Sequence, residues 1–250
     1  MVEEGIEIRT PDGTADGLLY RADDGSRRPG VIHLTDIGGI RLSQRTMARR
    51  LAEAGYTVLL PNLFYRFGKP PVVDWAAGFD DALTKQRMAE LRAPLTPEAV
   101  TRDAGACVDL LAAHDAVAPG GIGIVGYCFS GAVALRAAAA RPDRVVAAAF
   151  FHGGGLATDA PTSPHLLLPR IAAQLYFGHA VEDRGMPPEA IERLNQALAA
   201  WGGRFQSEVY AGARHGWTVP DSQVYNPPQA EKAFAELTRL LGEALGSAGG

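Results

Sequence analysis

Between Gly121 and Ala140 the chain reads GIGIVGYCFSGAVALRAAAA. An apolar run of strand length enters a Gly-Tyr-Cys-Phe-Ser-Gly turn and emerges in an alanine-rich stretch of strong helix formers. A buried strand that feeds a helix through so tight a turn needs small residues on both sides of the apex, because strand and helix pass close together. Gly126 and Gly131 supply them. The stretch therefore predicts a nucleophile elbow with Cys128 at its apex. The second glycine falls one residue later than in G-x-S-x-G, so Ser130 stands where that pattern has glycine. A thiol at a helix N-terminus faces backbone N–H groups and the positive end of the dipole, which favour a thiolate and a developing oxyanion. A cysteine among apolar residues is otherwise a small core side chain, and the flanking glycines favour chemistry here.

Gly121, Gly123 and Gly126 also spell G-x-G-x-x-G. In a dinucleotide site those glycines follow the strand and open the helix, whereas here two lie in or before the strand, so no cofactor is expected.

Strand and helix signals alternate along the chain. Ile6 to Arg9 and Gly17 to Arg21 flank Pro11-Asp12-Gly13 and predict an opening hairpin. Strands are expected at Val31–Thr35, Tyr56–Leu60, the elbow run, Val145–Phe151, Ile171–Phe177 and Phe205–Tyr210. Helices are expected at Ser43–Ala54, from Thr96-Pro97-Glu98 onward, after the elbow, at Pro188–Trp201 and at Gln229–Leu245. Alternation of this kind implies a mostly parallel sheet of about eight strands with helices on both faces and no separate cap domain. The 250 residues, 47% hydrophobic, suit one domain, with an irregular insert at 62–96 and a disordered tail at 246–250.

A formal charge of −4 offers no basic field for nucleic acid, so the expected partner is a small molecule. No signal peptide or membrane-length apolar run is visible, and a cytoplasmic monomer or weak homodimer is expected. Two cysteines make no disulfide framework, and Cys107 reads as core packing. The histidines show no metal-ligand spacing, so no metal is expected.

In a parallel sheet, chemistry gathers at the carboxyl ends of the strands. Asp183 and His215 each follow a late strand, in the order nucleophile, acid, histidine. An imidazole can take the thiol proton and a carboxylate can orient it; Glu182 is the competing acid, and His152 and His179 can border the pocket. The loop Asp36-Ile37-Gly38-Gly39 follows the strand that supplies the other half of an oxyanion hole, so the backbone N–H groups of Ile37 and Phe129 are the candidate donors. Asp36 would then sit near the thiol and modulate it. The insert carries Phe64, Tyr65, Phe67, Trp75 and Phe79 with Arg66, Lys85 and Arg87, and long loops over strand ends often wall a pocket. Arg87 and Arg66 are its candidate substrate contacts, with Trp217 beside the histidine.

These pieces resemble the dienelactone hydrolase family of the α/β-hydrolase superfamily over nearly the whole chain. The resemblance rests on Gly-Tyr-Cys-Phe-Ser-Gly at 126–131, Asp183, Ala213-Arg214-His215-Gly216-Trp217, and Gly55-Tyr56 through Pro61-Asn62-Leu63-Phe64-Tyr65-Arg66. It implies an α/β-hydrolase fold, a Cys128-His215-Asp183 triad with Asp36 where the family usually has glutamate, and hydrolysis of an activated cyclic enol ester in haloaromatic degradation. The sequence departs from the family at Ser130, at Asp36 and in lacking an arginine shortly after His215. A broader small-ester carboxylesterase is the alternative within that fold. A cysteine-elbow amidotransferase would place its acid two residues after the histidine, at Trp217, and a redox-sensing or ligand-binding protein would not need Asp183 and His215.

Overall fold

The computed structural model describes residues 1–74 and 81–246, and it places them around an eight-stranded sheet of order β1-β2-β4-β3-β5-β6-β7-β8. Trp75, Phe79 and the expected tail beyond Gly246 lie outside the described residues. The opening hairpin is β1 (Val2–Thr10) and β2 (Gly13–Arg21), paired antiparallel, and β2 runs antiparallel to β4 (Thr57–Pro61). From there β4, β3 (Arg28–Leu34), β5 (Val117–Tyr127), β6 (Val145–Phe151), β7 (Gln174–Glu182) and β8 (Phe205–Arg214) are all parallel. This is the α/β-hydrolase architecture.

Successive strand residues point to opposite faces, and the core accordingly divides in two. Ile122 and Ile124 of β5 and Phe150 of β6 join one cluster with α3 (Pro97–Ala112), α4 (Ser130–Ala140) and α5 (Pro188–Trp201). Val125, Tyr127 and Phe151 join the other with α1 (Leu42–Glu53) and α6 (Pro227–Leu245). Each fully buried Leu, Ile, Val or Phe contributes about 1.5–3 kcal/mol of transfer free energy. The double burial explains why the central strands read as continuous apolar runs. Gly123 belongs to this packing: a methyl group there would lie 2.4 Å from Leu241 Cδ2 of α6.

Helix starts follow local chemistry. Thr96 Oγ1 accepts from Ala99 N at 3.2 Å with Pro97 in the first turn, and Asn226 Oδ1 accepts from Gln229 N at 3.4 Å. Two expectations change. The stretch 62–96 is not wholly irregular: Asp81 Oδ2 accepts from Thr84 N at 2.8 Å and starts α2 (Ala82–Arg92). This helix buries only Thr84 and Leu91, so it lacks a strong apolar stripe. Strands β7 and β8 also run several residues past the apolar segments, because backbone pairing continues through polar residues to Glu182 opposite Arg214.

Candidate active site

Cys128 follows β5 directly and adopts φ +60, a left-handed conformation that L-residues enter only under constraint. The close approach expected at the elbow is present. A methyl group on Gly126 would lie 2.3 Å from the Ser130 carbonyl oxygen, and one on Gly131 would lie 2.9 Å from the Gly153 Cα. Ser130, the departure from the glycine pair, pins the turn. Its buried Oγ accepts from Tyr127 N at 2.9 Å and, as donor, is within reach of the Tyr127 carbonyl at 2.9 Å and the Leu34 carbonyl at 3.1 Å. The serine thus ties the elbow to the end of β3.

Asp183 and His215 begin the loops after β7 and β8. His215 Nε2 lies 3.1 Å from Cys128 Sγ, and its Nδ1 lies 2.7 Å from Asp183 Oδ2. The Asp183 side chain is 2% exposed, and its other oxygen accepts from Gly185 N at 2.7 Å. Glu182, by contrast, is exposed, with its carboxylate 3.9 Å from Arg214. Burial opposes charge on His215, but the hydrogen bonds to Asp183 and Cys128, and the charges of both, outweigh it and push the imidazole up to about 10. The arrangement suits a thiolate beside an imidazolium.

The amides of Ile37 and Phe129 make no backbone hydrogen bond outside regular elements among the described residues. Asp36 makes no side-chain hydrogen bond to Cys128 among the described residues. Its Oδ1 accepts from Gly38 N at 2.9 Å and Arg41 Nη1 at 2.6 Å, and its Oδ2 accepts from Arg41 Nη2 at 2.9 Å. Arg41 in turn donates to Asp221, from Nε at 2.8 Å and Nη2 at 3.0 Å. Asp36 therefore braces its own loop against the chain after His215.

A cavity of about 1090 Å³ opens beside Cys128, Phe129, Asp183 and His215, and three arginines line it: Arg92 from the last turn of α2, Arg184 and Arg214. The expected substrate contacts lie elsewhere. Arg66 pairs with Asp103 at 2.7 Å and Asp12 at 2.6 Å. Arg87 donates from Nε to the Val72 carbonyl at 3.0 Å and stacks over Phe67. Trp217 is fully buried, with its ring centroid 4.9 Å from that of Tyr210 and 5.1 Å from that of His152. A pattern of charges along one helix does not reveal which side faces the cleft. The insert still reaches the site through Phe64, whose ring lies 5.6 Å from that of Phe129.

His152 carries more than its place in the sequence suggests. It follows β6 and is 1% exposed, and its Nδ1 accepts from Cys128 N at 3.1 Å. Its Nε2 lies 2.8 Å from Thr218 Oγ1, and its ring is 5.2 Å from that of His215. Burial, and then the like charge of His215, hold it well below the ordinary histidine range. The strand-end rule that located Asp183 and His215 applies to His152 equally. His179 instead sits in the β7/β8 core, 3.2 Å from Ser207 Oγ. Among the described residues no group of three or more His, Cys, Asp or Glu side chains could hold a metal ion, and no helix is long and apolar enough to cross a membrane.

Comparison with known proteins identifies the family. The model of the dienelactone hydrolase family matches residues 15–245. Carboxymethylenebutenolidase of Rhodococcus opacus is 27% identical over 223 residues, covering 89% of this chain and 83% of that protein. Its counterpart from Pseudomonas putida is 26% identical over 241 residues, covering 96% and 95%. The crystal structure of a putative dienelactone hydrolase from Klebsiella pneumoniae superposes with a TM-score of 0.81 at 22% identity, covering 97% of this chain and all of that one.

Proposed function

Because the chain belongs to the dienelactone hydrolase family and is a hydrolase of ester or lactone type, we propose that it cleaves small activated esters or lactones that carry an anionic group, through an acyl-cysteine intermediate. The observation that carries this reading is the relay of 3.1 Å from Cys128 Sγ to His215 Nε2 and 2.7 Å from His215 Nδ1 to Asp183 Oδ2. In this reading the proton shared between Cys128 Sγ and His215 Nε2 already resides on His215, and Sγ adds to the substrate carbonyl carbon. The resulting oxyanion is met by the amides of Ile37 and Phe129. As the tetrahedral adduct collapses, the ester C–O bond breaks and His215 returns the proton to the leaving oxygen. Water, deprotonated by His215, then adds to the acyl carbon and releases Cys128. Asp183 keeps the imidazole in the tautomer that presents Nε2 to sulfur.

Arg92, Arg184 and Arg214 line the cavity together with Glu182 and Asp183; Glu182 lies 3.9 Å from Arg214 and Asp183 is already engaged by His215. The lining thus supports an anion, such as the carboxylate of a lactone like that named by the Rhodococcus and Pseudomonas relatives. The test is turnover of p-nitrophenyl acetate and of a lactone pair, one carboxylated and one neutral, by the wild type and by Cys128→Ala. Turnover surviving in Cys128→Ala would overturn the mechanism, and equal kcat/KM for both lactones would overturn the substrate class.

A further inference from the structure

We propose that His152 is a positioning residue for the nucleophile: its Nδ1 holds the Cys128 amide in the elbow conformation, and its Nε2–H is satisfied by Thr218. The inference rests on Cys128 being the nucleophile, and it concerns a residue that takes no part in the proton relay.

Among the described residues only two that are not glycine have positive φ, Cys128 at +60 and His152 at +42, and the two are hydrogen-bonded to each other. They begin the turns after adjacent parallel strands, β5 and β6. The Cys128 amide has two acceptors, His152 Nδ1 at 3.1 Å and the Phe151 carbonyl at 3.2 Å. The His152 amide is itself anchored to the Gly178 carbonyl at 2.8 Å on β7. Since Nδ1 accepts, the neutral ring carries its proton on Nε2 and donates it to Thr218 Oγ1. Thr218 lies three residues after His215, so the loop that carries the base also receives the Nε2–H of the ring that holds the nucleophile. That ring also packs against His215 in an edge-type arrangement, 5.2 Å between centroids at 64°. One buried imidazole therefore fixes both partners of the contact between Sγ and Nε2. Core filling alone would require neither an acceptor at Nδ1 nor a hydroxyl at 218.

The experiment compares full-length His152→Leu, His152→Asn, Thr218→Val and Thr218→Ser with the wild type. Three quantities are read: kcat and KM for p-nitrophenyl acetate, the rate of Cys128 alkylation by iodoacetamide, and Tm. Cys107 does not interfere, since it is buried and burial pushes its thiol up to about 12. Leucine removes the acceptor, and His152→Leu is expected to lose roughly 100-fold in kcat with little change in KM, as for a misplaced reacting group. Its alkylation should slow about tenfold. Asparagine offers a carbonyl oxygen where Nδ1 stands, so His152→Asn should recover most of the loss, as an outer-sphere orienter of this kind does when its hydrogen bond is kept. Thr218 also borders a separate cavity of about 190 Å³ behind the elbow, so valine fits there. Thr218→Val should be impaired, and Thr218→Ser should restore it. A folded His152→Leu with unchanged kcat and alkylation, or a His152→Asn as impaired as His152→Leu, would overturn the proposal. If His152→Leu does not fold, the Thr218→Val and Thr218→Ser pair decides in the same way. Alkylation reads the elbow without turnover: an active Cys128→Ala would remove Cys128 as the nucleophile, whereas unchanged alkylation and kcat in His152→Leu beside an inactive Cys128→Ala would remove the positioning role alone.

Discussion

The two walls of the active-site cavity are built by different means. The elbow wall, made of Cys128, His215 and Asp183 with His152 hydrogen-bonded to the Cys128 amide, follows the ends of four adjacent parallel strands, and hydrogen bonds hold each of these side chains. The other part of the lining includes Arg92, an exposed side chain on a helix with only two buried residues. The first wall places the proposed reacting atoms to within a hydrogen bond, whereas the second places only charge. Chemistry should therefore fail steeply when the elbow is altered and substrate preference should drift gently when α2 is altered.

The sharpest way to break this contrast is Cys128→Ala. It should reduce kcat/KM for p-nitrophenyl acetate by at least about 10⁴-fold with Tm unchanged, as expected for one member of a catalytic unit. Survival of a tenth of the wild-type rate would remove the elbow from the reaction. Asp183→Asn comes next, with a loss of roughly 10²- to 10⁴-fold in kcat and a displaced pH profile. His215 must be protonated to supply the leaving group's proton, and its raised value keeps it so until pH passes about 10, so the rate with a poor leaving group should fall as pH rises through that point. Asp183 is one cause of the raised value, and Asp183→Asn should move the fall to lower pH; a move upward would contradict the assigned coupling.

Gly126→Ala probes the same wall through stability. A methyl group 2.3 Å from the Ser130 carbonyl oxygen forces strand and helix apart, and a loss of about 3 kcal/mol or more is expected by urea denaturation. A neutral Gly126→Ala would mean that the elbow is less tightly packed than drawn. In the other part of the lining, Arg92→Ala should raise KM for a carboxylated lactone about tenfold, the worth of one charge-assisted hydrogen bond, and leave a neutral lactone unaffected. Arg87→Ala should alter neither substrate by more than about twofold, because its guanidinium is engaged with the Val72 carbonyl and the Phe67 ring. Reversal of these two results would return the anion contact to Arg87.

The elbow, the alternation of strands and helices, and the positions of Asp183 and His215 were legible in the sequence because each depends on neighbours a few residues away. Gly126 and Gly131 mark a close approach within a single turn, and a strand end is visible where an apolar run stops. Even there the reading stopped short: β7 and β8 continue through polar residues because their ladder is made by backbone groups, which leave no mark in side-chain pattern. What remained hidden was set by pairs far apart in the chain. Ser130 reaching the Leu34 carbonyl, the arginine that holds Asp36 being held in turn by Asp221, and His152 held by Thr218 all arise only when the chain is folded. The choice of Arg92 over Arg87 for the cavity wall was decided by how α2 is docked, and its weak apolar stripe left that rotation unspecified in sequence. Local sterics and periodicity determined which residues could do chemistry; only the assembled sheet decided what holds them and which charges face them.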